Sequence, residues 1–73
     1  MSKEIETQVL EFVENRHKKG ETTASRNVHI RFYTDIENAE QILNKLAENG
    51  KISKKYDEQY QEDRYSSNKA VIE

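Results

Sequence analysis

Between Thr34 and Ile52 the chain reads TDIENAEQILNKLAENGKI, with Ile36, Ala39, Ile42, Leu43 and Leu46 recurring at spacings of three and four. An α-helix with 3.6 residues per turn gathers those positions on one side. Glu37, Glu40, Gln41, Asn44, Lys45 and Glu48 then fall largely elsewhere, so the segment predicts a helix with one buried and one wet face. Thr34 and Glu37 have the T-x-x-E spacing of a capping box, which marks the start. Asn49-Gly50 marks the end, because glycine takes the left-handed conformation that closes a helix without a Cβ clash. Ile52 resumes the apolar pattern just beyond, so the helix is expected to lead straight into an extended segment.

Two further helices are expected upstream. Ile5, Val9, Phe12 and Val13 form one apolar stripe over about Lys3 to Lys19. Ser2 is a candidate N-cap, Glu4 and Glu6 suit the positive end of the helix dipole, and Arg16, His17, Lys18 and Lys19 suit its negative end before Gly20. From about Ala24 to Phe32, Ala24, Val28 and Phe32 repeat at four, with Thr22, Thr23 and Ser25 as possible caps. The run VHIRFY would also suit a strand. A helix is the better reading, because Tyr33-Thr34-Asp35 then turns tightly into the capped helix. Arg26, His29 and Arg31 are its expected exposed side.

Downstream, Lys51 to Tyr56 alternates as a strand with Ile52 and Tyr56 inward. Asp57 to Ser67 has no Gly or Pro to force a tight turn and is expected to be a long mobile loop. Asn68 to Ile72 would supply the returning strand.

Seventy-three residues allow one domain, 1–73. Cysteine is absent, which excludes disulfide staples and Cys-containing zinc sites. No apolar run approaches the roughly 20 residues of a membrane span, and no signal-peptide core follows Met1, so a cytoplasmic protein is expected. His17 and His29 lie on different predicted helices, no phosphate-cradling glycine loop occurs, and the acids between Asp57 and Asp63 lack EF-hand spacing. The reading is therefore not an enzyme, with no metal or cofactor. The net charge of −2 hides acidic blocks at 1–15, 35–50 and 57–63 separated by basic blocks at 16–34 and 51–56. Such a chain does not look like a uniformly basic nucleic-acid binder, but a local patch can still bind phosphate.

Helix, short helix, turn, helix, glycine, strand, loop, strand is an order that resembles winged-helix domains. LNKLAENGKISKKY is similar to that family's junction between third helix and wing, through Leu43, Leu46, Gly50 and Ile52. TTASRNVHIRFYTDIENAEQILNKLAENGKI also resembles the C-terminal winged-helix modules of phage and mobile-element primase-helicase replication proteins, through Thr23, Arg26, Arg31, Glu37, Ala39, Leu43, Leu46, Gly50 and Ile52. The resemblance implies an α+β fold, a small winged helix of three helices plus a two-stranded β-hairpin wing. It also implies a DNA-binding role in replication or mobile-element biology.

In helix-turn-helix proteins the second helix of the motif enters the major groove. Here that helix opens with Asp35, Ile36, Glu37 and Asn38, so its leading face opposes a phosphate backbone, although Asn38, Gln41 and Asn44 suit base edges. The expected contacts are therefore mostly to phosphates of single- or double-stranded DNA. Arg26, His29, Arg31, Lys51, Lys54, Lys55, Arg64 and Lys69 would make them, with Tyr60, beside Tyr56 and Tyr65, stacking on bases. The alternative is a protein-interaction adaptor whose acidic third helix meets a basic replication or transcription partner. A small transcription regulator is a further variant and requires a homodimer.

Overall fold

Residues 4–68 are described by the computed structural model. The elements are α1 (Ile5–Lys18), α2 (Ser25–Phe32), α3 (Ile36–Glu48), β1 (Ile52–Asp57) and β2 (Glu62–Ser67). Three helices and an antiparallel hairpin make a small α+β fold, as expected. Val9 and Val13 of α1, Val28 of α2, four residues of α3 (Ala39, Ile42, Leu43 and Leu46), Ile52 of β1 and Tyr65 of β2 form one buried cluster. The α3 stripe thus supplies the centre against which α1, α2 and β1 pack, while β2 lies mainly against β1 and α1.

The ambiguous segment 25–32 is a helix, as the turn argument favours. Val28 enters the core and Phe32, one turn on, meets Phe12 edge-to-face with ring centroids 5.6 Å apart. The expected Thr and Ser caps are not used. Ala24 is the N-cap residue, and its N–H donates to Asn27 Oδ1 at 2.9 Å. Nor does Thr34 form the capping box with Glu37: α3 starts one residue later, with Asp35 as N-cap and no side-chain cap. Thr34 Oγ1 instead accepts from Asn38 Nδ2. Ser2 lies outside the described residues, and Glu4 stands as N-cap of α1.

Glycine closes α1 and α3 by the same device. Gly20 and Gly50 have φ of +80° and +75°, and the residue after each donates back to the helix, Glu21 to Arg16 O and Lys51 to Leu46 O, both at 2.9 Å. Gly50 donates to Ala47 O and Gly20 to His17 O, completing two Schellman motifs. Reversal after Gly50 delivers Ile52 into the core.

The hairpin corrects two expectations. The returning strand is not Asn68–Ile72 but Glu62–Ser67, and the supposed loop between Asp57 and Ser67 is mostly strand. Residues 69–72 lie outside the described residues. The turn needs neither Gly nor Pro because the Asp57 carboxylate accepts from the Gln59 and Tyr60 amides, and Gln61 adopts the left-handed conformation. The register Lys54↔Tyr65 turns Tyr65 inward, where it is 3% exposed, whereas Tyr56, expected inside, is 57% exposed. Thr23 adds a pairing that the sequence did not announce. Its N–H and C=O exchange bonds of 2.8 and 2.7 Å with Tyr65, so β2 is flanked on both edges. The Thr23 hydroxyl is buried with no hydrogen-bond partner among the described residues.

Candidate interaction surface of the third helix and hairpin

With Ala39, Ile42, Leu43 and Leu46 inward, helical spacing aims Glu37, Gln41, Asn44 and Glu48 away from the core, with Glu40 beside them. Asp35, Glu37, Glu40 and Glu48 have no ion-pair partner among the described residues. Glu40 and Asn44 face the hairpin across a groove of about 340 Å³ that Lys54, Tyr56, Glu62, Asp63 and Tyr65 also line. Its carboxylates come from both walls.

The cations near this groove are occupied by the hairpin's own acids. Arg26 Nη2 lies 3.0 Å from Glu62 Oε2, and Arg64 Nη1 lies 2.5 Å from the same oxygen. Lys54 Nζ lies 3.6 Å from Asp63 and donates to Asn44 Oδ1 at 3.1 Å. The Arg26 and Lys54 pairs are solvent-exposed and add little stability, but Glu62 and Asp63 offset most of the positive field of Arg26, Lys54 and Arg64. Arg64 is buried. It donates to Thr22 Oγ1 and O at 2.6 and 3.0 Å and lies 4.4 Å from the centroid of the Tyr60 ring. Thr22 O also accepts from Arg16 at 2.9 Å, so two guanidinium groups anchor the segment before α2.

Arg26, Tyr60 and Arg64 therefore gather around Glu62, while the other expected contacts lie apart. Lys55 lines a separate recess of about 530 Å³ with Thr22, Asp57, Glu58 and Arg64. Lys51 lines another with Leu10, Glu14 and Asn68. Arg31 sits 5.2 Å from the Phe32 ring centroid in a groove shared with Glu11 of α1, and His29 Nδ1 contacts Thr34 O. Asn38 is bonded to Thr34, and Gln41 is exposed on α3. Lys69 lies outside the described residues. Tyr65, expected beside the DNA, is core.

Tyr65 registers the field of the groove. Burial pushes its hydroxyl up, and the carboxylates of Asp63 and Glu40 push it further, to about 12 from the ordinary 10.0. The neutral phenol donates to Asn44 Oδ1 at 2.8 Å. Because the folded-state value is the higher one, the unfolded chain loses its proton first as pH rises. Stability from this group is complete below about 10 and drains away between about 10 and 12. Urea midpoints measured across that range should fall more steeply for the native chain than for Tyr65→Phe. Parallel slopes would contradict the assignment.

No group of His, Asp and Glu among the described residues is placed to hold a metal ion, and no helix among them is long and apolar enough to cross a membrane. No family model, curated protein or solved structure matches the chain.

Proposed function

We propose that the chain is a non-catalytic interaction module of winged-helix type whose acidic α3 face and adjoining groove receive a basic segment of a partner protein. The observation that carries this is an asymmetry of pairing beside the groove: Glu37, Glu40 and Glu48 face outward with no cation among the described residues, whereas Arg26, Lys54 and Arg64 share the carboxylates of Glu62 and Asp63. A phosphate backbone brought to α3 would meet like charge, and each carboxylate would weaken rather than steer its approach. A basic peptide meets complementary charge there. The likeness to replication modules makes a basic component of replication machinery the natural class of partner.

Reversing Glu37 and Glu40 together, as Glu37→Lys/Glu40→Lys, discriminates between protein and DNA. Both side chains are exposed, so the fold should survive. A cationic test peptide should lose roughly tenfold or more in affinity, while a short DNA duplex should gain. Unchanged peptide affinity in a folded variant would refute the reading.

A further inference from the structure

Tyr33 occupies a position that the fold would fill better with glycine. It caps α2 with φ 56° and ψ 43°, a left-handed conformation that costs a residue with a Cβ of order 1–2 kcal/mol. Backbone bonds from Tyr33 and Thr34 to His29 O close the helix there as glycine would, but no side-chain contact within the described residues adds to them: the side chain is 93% exposed, and neither its ring nor its hydroxyl has a partner there. Ile30, three residues before it, is 68% exposed, and Ile36, three residues after it, is 46% exposed. Large apolar side chains are thus held in water on the corner joining α2 to α3. Strain at an exposed aromatic is the pattern found where a residue is kept for contacts outside the fold.

The charges beside this corner select its occupant. Asp35, the N-cap of α3, and Glu37 and Glu40 on it have no cation paired to them among the described residues, and they outnumber Arg31, the exposed cation next to Ile30, which lies over the Phe32 ring. A second copy docked about a two-fold axis would set these acids against their own images, and three side chains fall well short of the roughly 800 Å² per partner of a stable interface. DNA and anionic lipid carry the wrong sign. We propose that Ile30, Tyr33 and Ile36 form an apolar anchor at the edge of the acidic face, and that its occupant is a cationic amphipathic segment of a partner protein. This rests on the acidic-face reading and adds the apolar half of the partner's chemistry. Tyr33 is the central contact, as large aromatic side chains often are at interfaces.

The test compares a synthetic Leu/Lys amphipathic peptide with an all-Lys peptide of equal charge, using amide shifts and affinities of the native chain and Tyr33→Gly. The Leu/Lys peptide should bind about tenfold tighter, with shifts led by residues 30–37. Tyr33→Gly should abolish that preference while raising the melting temperature, since glycine relieves the left-handed strain. Loss of binding then has no origin in misfolding. Equal affinity for both peptides, unaffected by Tyr33→Gly, would overturn the anchor and leave the acidic face standing. Binding of neither would overturn both. Sedimentation showing a dimer that Tyr33→Gly dissolves, or a DNA duplex shifting residues 30–37, would also overturn the anchor, in favour of a second copy or of nucleic acid.

Discussion

Leu43→Ala should lower the unfolding free energy by about 3 kcal/mol, the scale of a fully buried leucine whose cavity does not close. Leu43 is completely buried and among the largest such side chains, with neighbours from all five elements in its cluster. A domain of 73 residues has roughly 4–11 kcal/mol in total at about 0.05–0.15 kcal/mol per residue, so the variant should lose a large fraction of its stability. Ile36→Ala is the control. It belongs to the same sequence stripe but is half-exposed, and it should cost well under about 1.5 kcal/mol. Urea unfolding measures both through the midpoint at constant slope. Similar losses at the two positions would mean that α3 does not face the core as described.

Arg64→Lys should cost nearly as much as Arg64→Ala, about 2 kcal/mol in each case. A lysine keeps the charge but is a single point donor. It cannot reach Thr22 Oγ1, Thr22 O and Glu62 together while lying over the Tyr60 ring, as the planar guanidinium does. Arg26 remains bonded to Glu62 and Arg16 to Thr22 O in either variant, which keeps the loss below that of a wholly abandoned buried charge. A lysine variant as stable as the native chain would show that charge alone, not the fork geometry, holds β2 to the segment before α2.

Helix periodicity carried most of the fold because the α3 stripe, the two closing glycines and the apolar stripe of α1 are local signals, each sufficient within a few residues. The hairpin was misplaced because its turn is built from an Asp57 side-chain bond and a left-handed Gln61, neither of which announces itself as Gly or Pro would. Tyr65 falls within the segment expected to be a long loop, so its burial was hidden along with the strand. Thr23 pairs across 42 positions, and no local pattern foretells such a bond. The candidate surface was legible in part. The acids of α3 could be read directly from their spacing, but the pairing of Arg26, Lys54 and Arg64 with Glu62 and Asp63 depends on strand register, and the exposed corner at Tyr33 depends on backbone conformation at one residue.

The most direct measurement is a titration of the native chain with short single- and double-stranded DNA at low salt, followed by amide shifts, because electrostatic binding to phosphates is strongest there. With α3 acidic, Arg26, Lys54 and Arg64 engaged by Glu62 and Asp63, and Lys51 and Lys55 set apart in separate recesses, no saturable binding should appear to either form. Saturable binding that weakens steeply as salt is added, with shifts at residues 24–31 and 51–64, would contradict the acidic-face reading and return function to the phosphate contacts that the sequence first suggested.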